Sequence, residues 1–144
     1  MSAEILGKVS AVRRYLPIPL YSNKVAAGFP SPAQDYIDRT LDLNELCIKH
    51  PAATFFVKVS GDSLQDAGIY DSDILVVDRA LEARHGDIVV AALCNEFTVK
   101  ELCLTPTVRL IPHNPKYQAI EITSENELEV FGVVTNVIRK IRRP

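Results

Sequence analysis

The chain has 144 residues, of which 47% are hydrophobic and 24% charged, and its formal net charge is −2 at neutral pH. That length suits one domain with a core of its own, and the balance is that of a soluble globular protein. A slightly acidic chain is not built to coat nucleic acid, and no window approaches the ~18 consecutive apolar residues of a membrane span.

The opening "MSAEILGKVSAVRRYLPIPL" lacks the basic start and continuous apolar block of a secretory leader. Cys47, Cys94 and Cys103 form an odd set with no CxxC pair, which disfavours a disulfide framework or a zinc site. His50, His85 and His113 are scattered without ligand spacing. Together these features predict a cytoplasmic protein with reduced thiols, no metal and no other cofactor.

Residues 1–32 hold Pro17, Pro19, Pro30 and Pro32 and show no sustained periodicity. Proline removes a backbone donor and disfavours helix in the residue before it, so this arm is expected to be extended and loosely held. Within it, "VAAGFPSP" (25–32) is a run of small residues ending in turn formers, suited neither to a helix nor to a paired strand.

"RTLDLNELCIKHP" (39–51) carries the clearest helix signal. Asp42 can cap the amide three residues on, Glu45 completes a capping-box-like pattern, and Leu43, Leu46 and Cys47 share a face that predicts packing on a sheet. Pro51 is the expected stop.

The remainder reads as strands rich in β-branched residues: 54–60, 73–78, 87–93, 96–104, 108–112, 119–123 and 128–141. Turn signals such as "GDS", "YDSD", "RHGD" and "PHNPK" separate them. Many short strands with one helix predict a mainly β domain, a barrel or folded sheet spanning 33–144 behind the arm. The last strand, "LEVFGVVTNVI", is apolar for a terminal edge, which predicts a homodimer that covers it. The closing "IRKIRRP" is basic and reads as a solvated tail or a contact for an acidic partner.

Two positions carry candidate chemistry. In "VSGDSLQDAGI" (59–69) a strand ends in a tight turn that would project the Ser63 hydroxyl, although GDS alone is an ordinary turn. In "EFTVKEL" (96–102), alternation puts Lys100 on the face of Thr98, Leu102 and Leu104, the face expected to be buried. Burying an ammonium group is unfavourable unless it is paired or neutral, so this lysine either snorkels to water from an edge or serves a purpose inside. A neutral lysine beside a serine makes a nucleophile without histidine, and no histidine here sits near a nucleophile-elbow motif.

"SGDS", "SDILVVD", "HGDIVVA", "EFTVKEL" and "LIPHNPKY", in that order, resemble the LexA-type self-cleaving Ser–Lys peptidases. "GFPSPAQDYIDRTLDLNEL" and "ELEVFGVVTNVI" extend the resemblance to the UmuD-like branch, with its plasmid-borne members of the MucA and RumA kind, over residues 20 to the end. The resemblance implies a folded β-sheet body with an extended N-terminal arm and one short helix. It implies Ser63 as nucleophile, Lys100 as general base, Ala27–Gly28 as the scissile bond and the Ser63 amide as oxyanion donor.

It further implies an SOS-response protein whose self-cleavage is stimulated by a RecA–single-stranded-DNA filament. The product, residues 28–144, would join an UmuC-type Y-family translesion polymerase as a dimeric accessory subunit. Leu64 stands where the family often has Met, a volume-conserving exchange. The arm is too short for the helix-turn-helix domain of the repressor branch, so neither sequence-specific DNA binding nor a membrane partner is expected. The alternatives are a non-enzymatic polymerase adaptor with a vestigial Ser–Lys pair and a LexA-like repressor fragment.

Overall fold

The computed structural model describes residues 1–8, 18–21, 37–124 and 128–143. It is mainly β. Ten strands are described: β1 (Ser2–Lys8), β2 (Ile18–Tyr21), β3 (Ile37–Leu41), β4 (Thr54–Ser60), β5 (Ile74–Asp78), β6 (Ile88–Leu93), β7 (Glu96–Cys103), β8 (Arg109–Ile111), β9 (Ile120–Glu121) and β10 (Leu128–Ile138). The seven strands from β4 onward coincide with those expected from β-branched content, each to within a few residues at its ends.

Eight strands form one sheet in the order β1-β4-β5-β10-β6-β7-β8-β9, and β1 also pairs with β7. The sheet therefore closes on itself through six strands, with β8 and β9 continuing outward from β7. β2 and β3 form a separate antiparallel pair.

Strand alternation builds two cores. Inside the ring lie Val57, Val59, Leu64, Ile69, Leu75, Val77, Val90 and Val99, with Met1 and Ala3 of the first residues packed against them. Val89, Ala91, Leu102, Leu110 and Val133 form the second cluster. β6 supplies both, Val90 to one and Val89 and Ala91 to the other, which is why "DIVVAAL" reads as an unbroken apolar run rather than an alternating one.

β10 crosses β5 and β6 with register shifts at Val130/Gly132 and Val134/Asn136. At Gly132 an added Cβ would lie 2.7 Å from Val77 Cγ1 and 3.2 Å from the Asp78 carbonyl oxygen, so only glycine fits this approach.

The helix differs from its sequence signal. α1 spans only Leu43–Cys47, Asp42 accepts from the Asn44 amide rather than from the third residue on, and no residue of it is buried. Leu43 and Leu46 are exposed, so the apolar face does not pack on the sheet as expected. Pro51 opens a separate 3-10 turn, Pro51–Ala53, that leads into β4.

Candidate active site

β4 ends at Ser60 and the chain turns at Gly61, whose φ of +99° lies in the region that side-chain-bearing residues rarely adopt. The Gly61 amide donates to Asp71 Oδ1 at 2.8 Å. Asp62 and Ser63 follow, and Leu64, fully buried, anchors the turn in the first core. Ser63 is itself fully buried.

The segment carrying Ser63 is clamped at both ends. Beyond it, Arg139, just past β10, donates to both Asp73 carboxylate oxygens (2.6 and 2.5 Å) and to the Gly68 carbonyl (2.9 Å), and its guanidinium lies 4.4 Å from the Tyr70 ring centre. Burial opposes ionisation of Asp73, but Arg139 and the Tyr70 amide outweigh it and hold the carboxyl below its ordinary value.

On the near side, "HNPKY" (113–117) folds against the turn. The His113 amide donates to the Ser63 carbonyl (2.7 Å), and the buried Asn114 donates through Nδ2 to the Asp62 carbonyl (2.9 Å). Tyr117 Oη and Lys116 Nζ reach the two Asp62 carboxylate oxygens at 2.5 and 3.3 Å. The tyrosine hydroxyl above all, with Lys116, holds that carboxyl below its ordinary value.

These bonds fix the plane of the Asp62–Ser63 peptide. Because the peptide is trans, the Ser63 N–H points away from the held carbonyl, and among the described residues it has no acceptor. An N–H so oriented can stabilise a developing oxyanion.

Lys100 reaches the serine from β7, on the strand face opposite Val99. β7 places it opposite Val89, and its Nζ donates to Ser63 Oγ at 3.2 Å and to Thr98 Oγ1 at 2.9 Å. The lysine is only 6% exposed, and none of the ion pairs among the described residues includes it. A neutral amine at this distance can take the serine proton; its stem shares a buried face with Leu102, whereas Leu104 lies 39% exposed beyond the strand.

The structure thus brings Ser63 and Lys100 together. Ala27 and Gly28 lie outside the described residues. Sequence reasoning did not single out Thr98, Asn114, Tyr117 or Arg139 as parts of the site. Thr98 was within reach of it, being two residues before Lys100 on the same strand face.

A further amine enters the site. Met1 N donates to Ser63 Oγ at 2.9 Å, while the Met1 carbonyl accepts from the Val99 amide (3.1 Å) and from Thr98 Oγ1 (3.2 Å). Burial, and then the neighbouring Lys100, push the Met1 amine down to about 5 against a smaller opposing pull from Asp62.

A buried serine hydroxyl and a buried lysine amine thus stand 3.2 Å apart, and residues 19–135 match the family described as Peptidase S24-like. The chain belongs to that family. It is 50% identical over 128 residues to protein MucA of Escherichia coli, covering 88% of both chains. It is 49% identical over 124 residues to protein SamA of Salmonella typhimurium, 86% of both. A LexA repressor from Paracidovorax citrulli is 35% identical over 150 aligned positions that cover 96% of this chain and 66% of the repressor. The UmuD-like branch expected from the motifs is the one that MucA and SamA occupy. Among the described residues no helix is long and apolar enough to cross a membrane.

Proposed function

We propose that this S24-like protein is a self-cleaving serine peptidase of the SOS mutagenesis response. Ser63 is the nucleophile, Lys100 the general base and Ala27–Gly28 the bond cut. The observation that carries this reading is the 3.2 Å approach of Lys100 Nζ to Ser63 Oγ in a buried site.

In the reaction, neutral Lys100 takes the Ser63 proton as Oγ attacks the Ala27 carbonyl carbon. The oxyanion that forms accepts a hydrogen bond from the Ser63 N–H. Collapse breaks the C–N bond, and protonated Lys100 returns the proton to the leaving Gly28 amine. Water, activated by the same lysine, then hydrolyses the Ala27 ester and regenerates the serine. Thr98 Oγ1 holds the lysine in line throughout, and Asn114 and His113 hold the serine's backbone.

The shortened chain, 28–144, forms a homodimer and serves an UmuC-type Y-family translesion polymerase as accessory subunit, and a RecA–single-stranded-DNA filament stimulates the cut. Similarity to MucA and SamA supports this cellular role. β10 is not the sheet edge expected from the sequence, since it pairs with both β5 and β6; for the dimer, the exposed Val137 and Ile138 at its end and Ile141 beyond it supply an apolar patch to cover.

Incubation with an activated filament tests the proposal. Mass measurement should find fragments 1–27 and 28–144 from the parent chain and none from Ser63→Ala. Other termini would overturn the assigned bond, and an uncut parent would leave the adaptor reading.

A further inference from the structure

The first residues of the chain occupy the catalytic cleft. β1 runs antiparallel to β4, with Ser2 opposite Ser60, Glu4 opposite Lys58 and Lys8 opposite Phe55. At its start it also bridges to β7, Ser2 opposite Thr98. Ser2 Oγ is in hydrogen-bond contact with Ser60 Oγ. β1 alone closes the ring between β4 and β7. Neighbouring strands lie about 4.8 Å apart, so without β1 these two edges flank a gap of about 10 Å, the width that admits one extended strand.

That gap is where a peptide must lie to be cut. Ser63 follows β4, Lys100 stands on β7, and both open on the end of the gap that Met1 fills. An extended segment would bind there by adding a strand to the exposed β4 edge, the mode in which backbone bonds supply affinity. β1 uses those same bonds.

β1 is also built to leave. Only Met1 and Ala3 pack against the core, while Ile5 and Leu6 remain 38% and 48% exposed. The register slips between Ile5 and Gly7, and the strand pairing with β7 is limited to Ser2 and Thr98.

We propose that β1 is a resident inhibitory strand: the cleft accepts one extended strand, and while residues 1–8 hold it no substrate segment reaches Ser63. The inference rests on the peptidase reading, and it makes release of β1 a step that precedes cleavage. The rate of cleavage is then scaled by the fraction of molecules in which β1 is undocked.

A charge exchange on the directly opposed pair Glu4 and Lys58 tests this without touching the catalytic groups. Glu4→Lys sets two lysines face to face, and like charges across a pair weaken strand docking enough to raise unstimulated cleavage by roughly two- to fivefold. Lys58→Glu alone should act the same way, and the double exchange should return the rate to that of the parent. Deleting residues 2–8 should raise it further than either point variant.

Single and deletion variants that cut no faster than a parent that the filament does cleave would overturn the inference while leaving the peptidase reading intact. If no chain is cut even with the filament, the peptidase reading fails, and binding decides the inference. In a Ser63→Ala background, a synthetic peptide spanning 22–32 should bind about two- to fivefold more tightly when Glu4 is Lys. Equal affinity would overturn it.

Discussion

Replacing Lys100 with methionine should abolish cleavage and make the protein more stable. Lys100 is 6% exposed, and the polar partners of its amine are two hydroxyl oxygens, Ser63 Oγ and Thr98 Oγ1, with no ion pair among the described residues. Desolvating such a group costs several kcal/mol in real proteins, and its two hydrogen bonds return about 1–1.5 kcal/mol each. Methionine keeps the length and volume of the stem and removes the polar head. Neither hydroxyl is orphaned, because Thr98 Oγ1 still donates to the Met1 carbonyl and Ser63 Oγ still accepts from the Met1 amine. The balance is a gain of roughly 1–3 kcal/mol. For a domain of this size that raises the unfolding midpoint by roughly 3–10 °C. Calorimetry and urea denaturation on Lys100→Met measure it, with an unchanged urea slope showing that only stability moved. A variant less stable than the parent, or one that still cuts itself, would refute the reasoning.

Three further substitutions probe the supports of the site. Thr98→Val removes the second acceptor of Lys100 and should slow cleavage by about 10- to 100-fold with little loss of stability, and Thr98→Ser should restore most of the rate. Gly132→Ala forces a Cβ to within 2.7 Å of Val77 Cγ1, and overpacking there should cost about 1–3 kcal/mol by urea denaturation. Arg139→Ala leaves the buried Asp73 carboxylate with the Tyr70 amide and should destabilise the fold, read as a lower urea midpoint with an unchanged slope.

Arg139→Ala should also change the acid limb of stability. Asp73 is held below its ordinary 3.8, so below that pH the unfolded chain binds the extra proton. The pair's contribution is full above 3.8 and is lost as pH falls through the lower folded value. The parent should lose this stability in that acid window, and Arg139→Ala should show no such loss there. A parallel decline in both proteins would count against the pair.

The body of the fold was legible because β4 to β10 carry strong β-branched signals with clear turns between them, and β4–β5 and β6 to β9 pair in chain order. β1 was not among the expected strands. Its pairing partners lie far along the chain, from Phe55 to Ser60 on β4 and at Thr98 on β7, and "SAEILGK" alternates too weakly to announce a strand by itself. The helix shows the opposite failure. Its cap was real, but Leu43 and Leu46 share a helical face that meets no core, so periodicity promised packing that the fold does not supply.

Within the site, alternation put Lys100 on a buried face and a turn motif offered Ser63, but only the closed ring brings Nζ within 3.2 Å of Oγ. Asn114 and Tyr117 sit in "PHNPK" and just after it, a stretch indistinguishable in sequence from an ordinary loop, and they act on Asp62 more than fifty residues away. Arg139 was read as part of a solvated basic tail, because nothing local reveals that its partner is a carboxylate buried at the entrance to β5.

The most direct test of the lysine's role is filament-stimulated cleavage followed by intact mass in the parent, Lys100→Ala and Lys100→Arg. The parent should be cut at Ala27–Gly28, and both folded variants should stay uncut, since alanine has no amine and guanidinium keeps its charge and cannot take the Ser63 proton. Persistent cleavage in either folded variant would contradict the account.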